Sequence, residues 1–208
     1  MNTTWLTDNK TTFIKVCGLR EEESVDVAVG SGVHAIGFVF VPSSPRFIER
    51  EEAEQLILQL PDEVIPVAVL QNAPSLAQYS TWKGWLQLCG DESIETVESA
   101  PCPVIRAIEW DETAIRTWDA CSNVQAILVD GSTGGRGTRF DVQALATIIP
   151  SLNKPIIIAG GLNPENVQEV IQLANPAGVD VSSGIESSPG IKDSRKICSF
   201  VQAVVEVD

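Results

Sequence analysis

Eight short apolar runs recur along the chain: FIKVC at 13–17, AIGFVF at 35–40, VIPVAVL at 64–70, WLQLC at 85–89, PVIRAIE at 103–109, QAILVD at 125–130, PIIIAG at 155–160 and GVDVSS at 178–183. They are nearly continuous rather than alternating, the pattern of strands covered on both faces, as in a parallel sheet. Between them the apolar positions fall at helical spacing, as in REEAEQLILQL at 50–60, NPENVQEVIQLA at 163–174 and DSRKICSFVQAVVEV at 193–207. Strand followed by helix throughout is the signature of α/β folds, and eight units predict a closed (β/α)8 TIM barrel. A doubly wound open sheet is the alternative. It usually has fewer strands, and no GxGxxG follows the first strand. The barrel is expected to occupy 13–208 as one domain, after a polar lead-in at 1–12. With 208 residues the chain lies near the lower size limit for the fold, so its loops must be short.

Composition narrows what such a barrel can meet. With 14 basic against 28 acidic residues the net charge is −14, which repels nucleic acid and anionic membranes, so neither partner is expected. A small anion needs local compensation from helix N-termini or a placed arginine. No apolar run reaches the ~20 residues of a bilayer span. The opening MNTTWLTDNKTT also lacks the basic start and apolar core of a secretory signal, and a cytoplasmic location is expected. Five cysteines with no CxxC pair argue for free thiols, with neither a disulfide framework nor a metal site.

In this fold the chemistry sits where strands run into their following loops. Cys17, Cys89, Asp130, the pair Gly160 and Gly161, and the run Ser182, Ser183 and Gly184 all lie at such ends. The two stretches IIIAGGLNPEN and VDVSSGIESSPG follow strands seven and eight, where barrels often hold phosphate on backbone amides, although each is also a good tight turn. Asn163 followed by Pro164 reads as a helix opening. Asp130 ends an apolar strand before the glycine-rich GSTGGRGTRFD. It is either a general acid with a raised pKa, beneath a segment able to close over a ligand, or a turn aspartate before a plain connection. Arg46, in VPSSPRFI, is either a carboxylate clamp or a solvated arginine. The lone His34 precedes strand two at the opposite end and receives no catalytic role. Side-chain alternation puts Lys15 on the face of Cys17, and Asp180 on the face of Ser182. If strand eight closes against strand one, Lys15 and Asp180 meet inside, placing positive charge near the thiol.

Taken together, KVCGLR, GFVFVPSSPRFI, LQLCGDE, ILVDGSTGGRGTRFD, IIAGGLNPENV and GVDVSSGIESSPGIKD resemble the phosphoribosylanthranilate isomerase family, in order and in spacing, from about residue 13 to the C-terminal helix. The resemblance implies an Amadori rearrangement of N-(5-phosphoribosyl)anthranilate to 1-(2-carboxyphenylamino)-1-deoxyribulose 5-phosphate in tryptophan biosynthesis, with no metal or organic cofactor. It implies Asp130 as general acid on the ribose ring oxygen and Cys17 as general base at C2, the thiolate favoured by Lys15 and the following helix. It also implies Arg46 on the anthranilate carboxylate, amides around Gly160, Gly161, Ser183 and Gly184 on the phosphate, and Asp180 as a further active-site aspartate. One departure stands out: Cys89 occupies a position where the family usually has histidine. Monomer and homodimer both remain open.

Two other functions fit less well. Indole-glycerol-phosphate synthase or a sugar-phosphate epimerase would show a catalytic lysine set or metal-binding histidines at the strand ends, and these are missing. A ligand-binding paralogue that has lost catalysis is hard to reconcile with both Cys17 and Asp130 being present.

Overall fold

The structure is a computed structural model and describes residues 11–131 and 141–208. Eight strands, β1 (Phe13–Cys17), β2 (Ala35–Val39), β3 (Ile65–Leu70), β4 (Trp85–Leu88), β5 (Val104–Glu109), β6 (Val124–Asp130), β7 (Ile156–Ala159) and β8 (Gly178–Val181), pair in sequence order and close into a barrel. All eight pairings are parallel, and β1 lies between β2 and β8. The helices are α1 (Glu22–Ser31), α2 (Arg50–Ile57), α3 (Ile94–Glu98), α4 (Glu112–Asp119), α5 (Val142–Ile148), α6 (Val167–Ala174) and α7 (Ser194–Val205). A short hairpin of β9 (Glu186–Ser188) and β10 (Ile191–Lys192) follows β8.

The period-two alternation of each strand divides the buried residues into two cores. Phe13, Ala35, Val67, Trp85, Ile105 and Leu128 point into the barrel, whereas Ile14, Ile36, Leu86, Val104, Ile127 and Val179 pack outward beneath the helices. A fully buried aliphatic side chain contributes roughly 1.5–3 kcal/mol, so these two layers carry most of the stability. At the bottom of the barrel His34 accepts a hydrogen bond at Nδ1 from the Ile14 amide at 2.9 Å and stacks on Phe13. Burial lowers its pKa, with Asp208 opposing the shift. Thr12 closes the same end, donating its amide and hydroxyl to the Asp208 carboxylate.

Two local expectations are corrected. Between β3 and β4 the connection forms only a 3₁₀ turn at Ala77–Tyr79 where strict alternation called for an α-helix. That stretch is held instead by the Trp82 indole, which donates to the Trp85 carbonyl at 3.2 Å. The helix read from Asn163 begins at Val167. Asn163 Oδ1 accepts from the Glu165 amide and Asn166 Oδ1 from the Asn163 amide, so the two asparagines build a turn before the helix. The segment 1–10 and the glycine-rich loop at 132–140 lie outside the described residues. Among the described residues no helix is long and apolar enough to cross a membrane.

Candidate active site

At the C-terminal end of β1 the backbone brings three polar side chains together. Lys15 and Asp180 face each other in the β1–β8 register, and Lys15 Nζ donates to Asp180 Oδ1 at 2.7 Å. The lysine side chain is fully buried and the aspartate nearly so. Closure of the barrel thus supplies the buried ammonium with the carboxylate that its desolvation requires. Burial by itself would drive Lys15 toward its neutral form, but Asp180 and Cys17 outweigh burial, and its pKa ends above the ordinary lysine value.

Cys17 sits one layer above Lys15 on the same inner face, close enough for each charge to act on the other. Gly37, paired with Cys17 on β2, leaves the space for both: a Cβ built there would lie 2.8 Å from Cys17 Sγ and 3.2 Å from Lys15 Nζ. Burial is the largest influence on the Cys17 thiol and raises its pKa from the ordinary value of 9.0; Lys15 favours the thiolate, as does Lys192, but they do not overcome burial, and Asp180 adds to the rise. Burial therefore favours the protonated thiol over the thiolate.

Arg46 reaches the same mouth from the loop after β2. Gly18, at φ 79°, follows Cys17 directly, and the arginine stem runs across it, with Cδ 2.6 Å from where a Cβ would be. The guanidinium meets Glu186 in a two-point contact, Nε to Oε1 at 2.7 Å and Nη2 to Oε2 at 2.9 Å. Lys192 Nζ lies 2.9 Å from Glu186 Oε1 and donates to the Ser182 carbonyl at 2.9 Å, while Ser182 Oγ donates to the Cys17 carbonyl at 3.1 Å. Glu186 and Lys192 were not singled out from the sequence. Their signal was two charges flanking the Ser-Ser-Pro-Gly turn of a hairpin.

The four positions expected to hold phosphate lie on neighbouring loops. Gly160 and Gly161 adopt φ 89° and 71°, which turns the chain sharply after β7. Ser183 and Gly184 begin a 3₁₀ turn after β8. Gly184 packs so closely on the β7 loop that a Cβ would come within 1.8 Å of the Leu162 carbonyl oxygen. Asp130 ends β6 between Glu109 and Ala159, half-buried, and is close enough to Asp180 to push its pKa upward. Burial is the larger cause of that rise in Asp180, opposed by Lys15.

Cys89, directly after β4, accepts a hydrogen bond at Sγ from Gln87 Nε2 at 3.3 Å. Burial pushes its pKa up to about 12, with Gln87 opposing and Cys17 adding to the rise. It is a permanent thiol at neutral pH. All five cysteines are free, and no group of three metal-ligating side chains occurs among the described residues.

The family model for N-(5'phosphoribosyl)anthranilate (PRA) isomerase matches residues 14–203. The chain belongs to the PRA isomerase family. An N-(5'-phosphoribosyl)anthranilate isomerase of Leptothrix cholodnii is 37% identical over 206 residues, covering 95% of this chain and 92% of the relative. The crystal structure of phosphoribosyl anthranilate isomerase from Thermotoga maritima superposes with TM-score 0.85 at 32% identity, covering 94% of this chain and all of that one. A further PRA isomerase structure, in complex with reduced 1-(o-carboxyphenylamino)-1-deoxyribulose 5-phosphate, superposes with TM-score 0.83 at 32% identity, over 94% of this chain and 100% of that one. Membership in the PRA isomerase family accounts for the barrel.

Proposed function

We propose that the chain isomerises N-(5-phosphoribosyl)anthranilate to 1-(2-carboxyphenylamino)-1-deoxyribulose 5-phosphate, with Asp130 as general acid and Cys17 as general base. Asp130 gives its proton to the ribose ring oxygen as the bond from C1 to that oxygen breaks and the anthranilate nitrogen lone pair forms the C1 iminium. Cys17 thiolate then takes the proton from C2, and the released electron pair forms the enolamine double bond and neutralises the nitrogen. Loss of the C2 hydroxyl proton and protonation at C1 give the ketone. The Cys17 proton returns through solvent to Asp130.

The observation that carries this reading is the buried cation beside the thiol. Lys15, held charged by Asp180, lies where it stabilises a thiolate as the negative charge forms, and Lys192 adds to it. Around the thiol Lys15, Arg46 and Lys192 outnumber Asp180 and Glu186 by one positive charge, which suits a phosphorylated carboxylate in a protein of net charge −14. Arg46 would hold the anthranilate carboxylate, Asp180 would face the ribose, and amides around Gly160, Gly161, Ser183 and Gly184 would hold the phosphate.

The test is the decay of phosphoribosylanthranilate fluorescence with wild type, Cys17→Ala and Asp130→Asn, each checked for native circular dichroism. Loss of a general acid or base lowers kcat by about 10²–10⁴-fold. Full activity in either variant would remove that residue from its role.

A further inference from the structure

We propose that Glu186 is a positioning residue that seats Arg46 for the substrate carboxylate, with Lys192 as its own counter-ion. The proposal rests on Arg46 being the carboxylate clamp, and it explains how an arginine already engaged by a glutamate can still serve. An arginine guanidinium has two edges that present paired N–H donors. Glu186 takes the edge formed by Nε and Nη2, with both carboxylate oxygens, at 2.7 and 2.9 Å. The edge formed by Nη1 and the second Nη2 hydrogen still presents two parallel donors, the geometry that a second carboxylate accepts. Rotation of Arg46 about its stem would break the contact with Glu186, so only one orientation of that open edge is held.

The glutamate is itself fixed. Its side chain is 5% exposed against 23% for Arg46, so it is the buried member of the pair. Lys192 Nζ contacts Oε1 at 2.9 Å, and Lys196 Nζ donates to the Glu186 carbonyl at 2.7 Å. Lys192 also solves an electrostatic problem. Glu186 alone would cancel the charge of Arg46, whereas the trio retains one positive charge for an incoming anion. The hairpin of β9 and β10 brings Glu186 and Lys192 together by pairing them directly across its strands. The same lysine donates to the Ser182 carbonyl, tying the hairpin to the loop after β8.

The test compares Glu186→Gln, Glu186→Asp, Arg46→Met and the double variant Arg46→Met/Glu186→Gln. Substrates are phosphoribosylanthranilate and the carboxylate-free N-(5-phosphoribosyl)aniline, made from ribose 5-phosphate and aniline. A seat for the carboxylate predicts that Glu186→Gln raises KM for the anthranilate substrate about tenfold while kcat changes less than about threefold. The penalty then shrinks below about twofold on the aniline substrate, and the double variant is no worse than Arg46→Met. Glu186→Asp, which keeps the charge but withdraws it by one methylene, should raise KM in the same direction and less. If Arg46→Met leaves KM unchanged, the clamp reading itself falls. If Arg46→Met raises KM and neither glutamate variant does, only the positioning proposal falls. Equal losses of kcat on both substrates would make Glu186 a structural residue and overturn the proposal as well.

Discussion

Gly37 lies beside Cys17 in the parallel register of β1 and β2, and its lack of a side chain is what gives the thiol its space. An alanine there would place a methyl 2.8 Å from Cys17 Sγ and 3.2 Å from both the Cys17 Cα and Lys15 Nζ, so the surroundings would have to shift. Gly37→Ala should cost about 1–3 kcal/mol of stability by overpacking, and reduce kcat/KM at least about tenfold by displacing the base. Gly30→Ala is the matched control, because nothing lies within 4 Å of its added methyl in α1. It should leave activity unchanged and raise stability by up to ~1 kcal/mol, the helix preference of alanine over glycine. Urea denaturation and initial rates distinguish the two.

In the proposed mechanism the Cys17 thiolate is the reactive form, and burial raises its pKa from the ordinary value of 9.0. In the free enzyme kcat/KM should therefore climb with pH through neutrality and continue past pH 9.0 on the limb belonging to this group. Lys15 is the strongest of the charges acting on the thiol and outweighs Asp180, so Lys15→Met moves that limb to higher pH even when Asp180→Leu removes the partner as well. Stability separates the same variants. Lys15→Met alone leaves a buried, unpaired carboxylate and should cost about 3–5 kcal/mol, much of it recovered in the double variant. Ultraviolet titration of the thiolate against a Cys17→Ala blank reads the shift without relying on turnover.

Cys89 has no charge to contribute at neutral pH. Replacing it with histidine should change kcat/KM by less than about tenfold, which initial rates decide. A gain of several orders of magnitude would mean that the native thiol cripples the enzyme. A second measurement follows from its pKa, which rises from 9.0 to about 12 on folding. The folded state binds the proton more tightly, so this stabilisation is complete below pH 9.0 and is lost as pH approaches 12. Cys89→Ala should flatten that part of the alkaline stability profile.

Glu186 titrates in the opposite sense. Burial favours its protonated form, but the hydrogen bonds and charges of Arg46 and Lys192 prevail, and its pKa lies below 4.5. Its stabilisation is complete above pH 4.5 and disappears as pH falls through the folded-state value. Wild type should lose more stability between about pH 6 and pH 3 than Glu186→Gln does, as measured by urea midpoints at each pH.

Gly184 tests the phosphate loops. A methyl at this position would collide with the Leu162 carbonyl oxygen at 1.8 Å, so the loops after β7 and β8 would have to part. Gly184→Ala should raise KM for the phosphorylated substrate about tenfold or more, with a smaller effect on kcat. Protection of the protein by inorganic phosphate against thermal unfolding should weaken in parallel.

Much of the site was legible because strand chemistry is local. The apolar run before Cys17 marks β1, and alternation along it assigns Lys15 and Cys17 to one face and Val16 to the other. The same logic places Asp180 inward on β8. Where the sequence misled, the cause was equally specific. A histidine or cysteine carries no sign of its own burial, so the ionisation of Cys17 was read from its neighbour Lys15 when desolvation outweighs that neighbour. Asn163 followed by Pro164 has the composition of a helix start, yet Asn163 Oδ1 takes the Glu165 amide and Asn166 Oδ1 the Asn163 amide, a turn that precedes the helix at Val167.

By itself the amino-acid order determined the succession of strands, the inward or outward facing of their side chains, and which residues stand at the strand ends, since each depends on spacing over a few residues. Only the tertiary structure decided which of those residues touch. The Lys15 and Asp180 partners are 165 residues apart and meet because β8 closes on β1. Arg46 and Glu186, 140 residues apart, meet because the β9 and β10 hairpin folds back over the loop after β2. Charge pairs across such separations are selected by the closure of the barrel, and no local pattern in either segment encodes the other.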